Sequence, residues 1–233
     1  MTLPLTSCLS SAFMTVLEPG DEVLLPDPAW PNYGMGVALA HGTGVSYKLH
    51  PSRGFLPDLD AIQGLITPRT RMLLICSPSN PTGQVCGLDL MRDLMDLARK
   101  HDLYVLSDEI YEDIVFDADH VSALPFDSDE RSLIVSGVSK GYAMTGYRVG
   151  FTRARPEYIA VASKIQEPLV SCGTGFSQLA AVAALEGPQD CVRQMRETYR
   201  RRRDLALGVL RELGLYQYTP GGAFYLLVDI SAT

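Results

Sequence analysis

Positive charge is scarce in this chain. Its 20 lysines and arginines face 27 aspartates and glutamates, for a formal net charge of -7. That balance gives no support to nucleic-acid binding and suits a cytosolic protein. Long apolar runs are missing too, and none reaches the length that spans a bilayer. Met1 is followed by Thr2-Leu3-Pro4-Leu5, without the charged start and cleavage site of a signal peptide, so a cytoplasmic location is expected and no membrane partner. Cysteine amounts to five widely spaced residues (Cys8, Cys76, Cys86, Cys172, Cys191) with no Cys-x-x-Cys pair. An odd, scattered set argues against a disulfide framework or a zinc site. These thiols are expected to be buried or half-buried. The four histidines, His41, His50, His101 and His120, show no metal-ligand spacing. They read as surface or loop residues, and no metal is expected.

Ordinary globular material makes up the rest. At 46% hydrophobic and 20% charged, 233 residues suffice for one large core. No internal repeat or low-complexity segment breaks the chain. Short apolar runs at Glu22 to Leu25, Val45 to Leu49, Met72 to Cys76, Leu103 to Leu106, Leu133 to Ser136, Val149 to Thr152 and Phe224 to Val228 read as strands. Helical patterns cover Leu9 to Leu17, Tyr33 to His41, Asp58 to Ile66, Leu88 to His101, Glu157 to Gln166, Phe176 to Glu186 and Gln189 to Leu213. In the fourth of these, Leu90, Leu94 and Leu97 share a face that the charged residues avoid. Strands alternating with helices predict an α/β fold: three layers, a mostly parallel sheet with helices on both faces. The run Arg200-Arg201-Arg202-Arg203 lies in the last helix and reads as a solvated face.

Three polar groups follow short apolar runs. Ser79-Asn80-Pro81-Thr82-Gly83 comes after Met72 to Cys76, and Ser107-Asp108-Glu109-Ile110-Tyr111 after Leu103 to Leu106. The run Ser136-Gly137-Val138-Ser139-Lys140 ends on an amine that can condense with an aldehyde, and Arg148 lies eight positions on. Ligands of open α/β sheets bind outside the carboxyl ends of the strands, so the three groups fit one site.

At these residues the chain resembles the class I/II aminotransferases, the fold type I pyridoxal-phosphate enzymes. Asn80 to Gly83, Asp108 with Tyr111, and Lys140 with Arg148 carry the likeness. Pro19 to Val23, Pro28-Ala29-Trp30-Pro31-Asn32-Tyr33 and Pro220-Gly221-Gly222-Ala223-Phe224-Tyr225 extend it over nearly the whole chain. The resemblance implies pyridoxal 5'-phosphate as cofactor and an amino acid and a 2-oxoacid as small-molecule partners. It also implies a homodimer, and movement of the amino group through a Schiff base on Lys140. Asp108 would face the pyridinium nitrogen and keep it protonated. Asn80 and Tyr111 would hydrogen-bond the ring's phenolic oxygen, and Trp30 would stack on the ring. Arg148 would pair with the phosphate, helped by Ser139. Thr6 or Ser7, as a helix cap, would stand where relatives have a glycine-rich turn, and Thr174 would reach the partner subunit or cap the next helix.

Two departures accompany the likeness. The serine usual three before the lysine is Gly137, so one phosphate hydrogen bond is expected to be missing or to move to Ser139 or Ser136. The stretch Pro4-Leu5-Thr6-Ser7 lacks the glycines of the family's first turn. Relatives are longer at both ends, so a fragment or a decayed relative is expected. Residues 1–205 would form the cofactor domain, and residues 206–233 the end of a linker helix and the first strand of a small α/β domain. The cofactor contacts leave other chemistry open: a C–S lyase, a cyclopropane-carboxylate synthase, or an inactive cofactor-binding remnant.

Overall fold

The computed structural model describes residues 2–3 and 5–231. Pro4 of the first turn, with Met1, Ala232 and Thr233, lies outside the described residues. The elements run β1 (Thr2–Leu3), α1 (Leu5–Val16), β2 (Glu22–Asp27), α2 (Asn32–Leu39), β3 (Thr43–Lys48), α3 (Leu59–Leu65), β4 (Thr70–Cys76) and α4 (Leu88–Lys100). Next come β5 (Tyr104–Asp108), β6 (Ser132–Gly137), the one-turn α5 (Val138–Gly141), β7 (Gly150–Arg153), α6 (Pro156–Val170), α7 (Gly175–Glu186) and α8 (Asp190–Glu212).

Seven strands form one sheet in the order β1-β7-β6-β5-β4-β2-β3. β2 to β6 are parallel, and β7 and β1 close one side antiparallel. The three-layer α/β expectation holds. β4 shows why its sequence reads as an unbroken apolar run. Met72 and Leu74 join Phe13 of α1, Val37 of α2 and Ala162 of α6 in one core. Leu73 and Ile75 face the opposite way and meet Ile62 of α3 with Met91, Leu94 and Met95 of α4. No described helix is long and apolar enough to cross a membrane.

Four expectations need correction. Phe224 to Val228 is not a strand. A strand needs a neighbour to complete its ladder. Here the Leu227 N–H donates to the Tyr218 hydroxyl at 3.1 Å, and the residues just before the segment are tied to two loops. Gly222 N–H donates to the Gly83 carbonyl at 2.8 Å, Ala223 N–H to Ile114 at 2.8 Å, and Gly221 accepts from Phe116 N–H at 2.9 Å. The arginine run is not wholly a solvated face: the Arg203 side chain is 9% exposed. It pairs with Asp117, donates to the Pro220 carbonyl at 3.0 Å and lies over the Phe116 ring. Cys8, Cys76 and Cys86 are buried, but Cys172 and Cys191 are exposed. Thr6 and Ser7 lie inside the first turn of α1, which starts at Leu5, so neither is its cap.

Candidate functional site

The carboxyl ends of β2, β4, β5 and β6 open onto one cleft of about 590 Å³, counting its open mouth. Leu5 and Thr6 of α1 line it, as do Trp30 from the turn after β2, Tyr33 of α2, and Asn80 from the loop after β4. Asp108, Ile110 and Tyr111 reach it from the end of β5, and Ser139, Lys140, Thr145 and Arg148 from the segment after β6. Tyr225 completes the wall from the far end of the chain. All eight residues singled out in the sequence (Thr6, Trp30, Asn80, Asp108, Tyr111, Ser139, Lys140, Arg148) therefore border the same space. Thr174 is not among its lining residues; it stands at the start of α7 and makes no side-chain capping bond there.

Asp108 sits on the floor, 1% exposed. Tyr33 Oη donates to its Oδ2 at 2.7 Å and the Ile110 N–H to its Oδ1 at 3.2 Å. Burial outweighs these hydrogen bonds and pushes the carboxyl up to about 6. Among the described residues no cation lies within ion-pair distance of it. A ring nitrogen carrying a proton would supply the missing positive charge.

Lys140 rides on α5, half-buried. Its Nζ lies 5.6 Å from the centre of the Tyr111 ring and 5.5 Å from that of Phe224. Burial and then the charge of Arg148 lower its pKa, with Asp108 opposing. An amine that gives up its proton more readily is a better nucleophile at neutral pH. Trp30 and Tyr33 meet edge to face, ring centres 5.6 Å apart. The Tyr111 and Tyr225 hydroxyls are 2.7 Å apart, so the Tyr111 hydroxyl already has a partner within the chain. Burial raises the Tyr111 pKa.

Gly137 cannot be replaced by the family's serine without movement. A Cβ there would lie 2.7 Å from the Gly150 Cα and from the Val149 carbonyl oxygen. Of the two hydroxyls offered in its place, Ser136 donates to Glu112, while Ser139 borders the cleft.

Beside Asp108, Glu109 points into a different pocket. It accepts from Ser107 Oγ at 2.8 Å, Ser122 Oγ at 3.1 Å and Ala123 N–H at 3.0 Å, and lies 3.0 Å from His120 Nε2. His120 is thus no surface residue, since its ring is held by a buried carboxylate. Ligand atoms of Glu109, Glu112 and His120 lie within 4.8 Å of one another. Because the Glu109 oxygens are already hydrogen-bonded, the cluster reads as a structural network.

Sequence reasoning passed over Leu5, Tyr33, Ile110, Thr145 and Tyr225. Tyr33 lies in the Pro28 to Tyr33 motif and Tyr225 in the Pro220 to Tyr225 motif. Tyr33 follows Trp30 by three residues, across the turn that opens α2, and its N–H donates to the Trp30 carbonyl at 3.1 Å. Tyr225 is 114 residues from Tyr111, and nothing local marks that pairing.

The family model described as "Aminotransferase class I and II" matches residues 5–233. The chain belongs to this family. Class I and II relatives include the aspartate/prephenate aminotransferase of Thermus thermophilus, 39% identical over 226 residues, which take in 96% of this chain and 58% of that protein. The aspartate aminotransferase of Rhizobium meliloti is 39% identical over 222 residues, 93% of this chain and 54% of the relative. Among solved structures, an aromatic aminotransferase from Pyrococcus horikoshii superposes with a TM-score of 0.96 at 37% identity. The match covers 99% of this chain and 63% of that one. The chain thus spans little more than half the length of the curated relatives named here.

Proposed function

We propose that this chain is the cofactor-binding part of a pyridoxal-phosphate-dependent aminotransferase, acting on a small amino acid and a 2-oxoacid. One observation carries the reading: Lys140, Asp108 and Arg148 border a single cleft whose floor carries a buried carboxylate with no ion-pair partner among the described residues. The residues present fit the cofactor at each part, with an amine for its aldehyde, an acid for its ring nitrogen and a guanidinium for its phosphate. Trp30 supplies a ring for its face.

When bound, pyridoxal phosphate supplies an aldehyde carbon and a ring that accepts electrons from a carbanion. Lys140 would hold that carbon through its amine, and its free amine would take the proton of the substrate α-carbon onto Nζ. Asp108 keeps the ring nitrogen protonated. Its burial makes this contact strong, since a neighbouring positive charge relieves the desolvation of the carboxylate. Asn80 and Tyr111 hold the phenolic oxygen, while Arg148, Ser139 and Thr6 hold the phosphate. Trp30 keeps water from one face of the ring. The same reading takes residues 1–205 as the cofactor domain and residues 206–233 as the beginning of a further domain. It takes the working form as a cytoplasmic homodimer.

Mixing the purified chain with pyridoxal phosphate should give a visible absorption band that borohydride reduction fixes as a mass increase on Lys140. A Lys140→Ala chain should show neither. A band that survives the substitution would sink the assignment. With an amino donor and a 2-oxoacid acceptor, transfer of the amino group marks an aminotransferase, whereas ammonia released without an acceptor marks a lyase.

A further inference from the structure

The Pro220–Tyr225 segment carries Tyr225 to the wall of the cleft, and two glycines let it come that close. At Gly83 (φ 67°) a Cβ would lie 2.6 Å from Pro220 Cβ, and at Gly222 one would lie 2.7 Å from the Ile114 carbonyl oxygen. Only without those carbons can the segment press at once on the Asn80 loop and on the Tyr111 turn. Phe224 and Tyr225 then meet the Tyr111 ring edge-on, with centres 5.4 and 5.6 Å away. Behind them, Tyr199 of α8 packs on Phe224 at 5.2 Å. The hydroxyl of Tyr225 stops 2.7 Å from that of Tyr111.

A phenol has one hydrogen to give. If Tyr111 gave it to Tyr225, none would remain for an anionic oxygen in the cleft. Resting on the function proposed above, we infer that Tyr225 is a positioning residue. It donates to Tyr111 Oη and so leaves the Tyr111 hydrogen aimed at the cofactor's phenolic oxygen. A hydroxyl that accepts one hydrogen bond donates a stronger one. The pair thus holds the phenolic oxygen as an anion more firmly than Tyr111 alone, and favours the unprotonated form of the lysine-bound cofactor.

The test is a pH titration of the visible spectrum of the full chain loaded with pyridoxal phosphate. Tyr225→Phe keeps the ring packing and removes only the donor. Its absorption midpoint should rise by roughly half a unit, less than in Tyr111→Phe. The Tyr111→Phe/Tyr225→Phe double variant should match Tyr111→Phe alone, because Tyr225 acts through Tyr111. An unchanged midpoint in Tyr225→Phe, an additive double variant, or loss of the band together with the fold would each overturn the inference. Absence of any Lys140-dependent band in the unsubstituted chain would instead remove the functional reading beneath it.

Discussion

Asp108 and Glu109 are consecutive carboxylates at the end of one strand, each 1% exposed, and they are opposites. Asp108 faces the open cleft and holds two hydrogen bonds, and burial pushes its pKa up to about 6. Glu109 faces the interior. Burial works against its charge as well, but hydrogen bonds from His120, Ala123 N–H and Ser107 outweigh it and hold the carboxyl below its usual range. Burial alone therefore does not separate a functional acid from a structural one. What separates them is whether the protein has already satisfied the charge. The acid left short of partners is the one poised for a ligand.

Removing each acid in turn tests this contrast hardest. Glu109→Ala strands Ser107, Ser122, the Ala123 N–H and His120, and should cost about 3–4 kcal/mol of stability. Asp108→Asn keeps an oxygen for the Ile110 N–H, can donate its amide N–H to the Tyr33 hydroxyl and removes a desolvated charge, so at pH 7 it should keep stability within about 1 kcal/mol of the parent or exceed it. Denaturant titrations of the cofactor-free chain measure both. Comparable losses in the two variants would erase the distinction. In the same pair, cofactor binding should fail in Asp108→Asn even though the fold persists.

The two acids should also give opposite pH dependence. Asp108 is raised from 3.8 to about 6 in the folded chain. Between those values the folded state holds a proton that the unfolded state has lost, so stability falls as pH rises, by on the order of 3 kcal/mol from this group. Glu109 is lowered from 4.5, so its contribution is present above that value and lost as pH falls through the folded pKa. Asp108→Asn should flatten the slope between pH 4 and 6. Glu109→Gln should flatten the part below 4.5. A stability profile of Asp108→Asn parallel to the parent from pH 4 to 6 would show that the carboxyl is not strained by burial.

The sequence made the sheet and the cleft residues readable because those signals are local. Met72 to Cys76 is apolar on both faces, as a central parallel strand must be, and the polar groups follow directly where such strands end. What stayed hidden depends on partners far along the chain. Phe224 to Val228 carries a strand's composition, yet among the described residues no strand pairs with it. Arg203 looked like one charge of four until Asp117, 86 residues away, claimed it. His120 reads as a polar loop residue unless Glu109 is known to face it. Nor does spacing tell Glu109 from Asp108: the pleat sends adjacent residues to opposite sides, but only the placed layers decide which side is the cleft.

The smallest effect repeats the contrast one strand over. Ser136 and Ser139 both flank the end of β6, and both are buried. Ser136 donates to Glu112, whose pKa burial raises and this bond lowers. Ser139 borders the cleft. Ser136→Ala should cost about 1–2 kcal/mol, because a buried carboxylate loses a donor, and should leave pyridoxal-phosphate affinity unchanged. Ser139→Ala should stay within about 0.5 kcal/mol in stability but weaken that affinity by roughly three- to tenfold, the worth of one hydrogen bond to a phosphate. Paired melting curves and cofactor titrations decide between them. If Ser136→Ala were instead the variant that loses affinity, the hydroxyl displaced by Gly137 would have moved to the other serine, and the interior face of β6 would have to open toward the ligand.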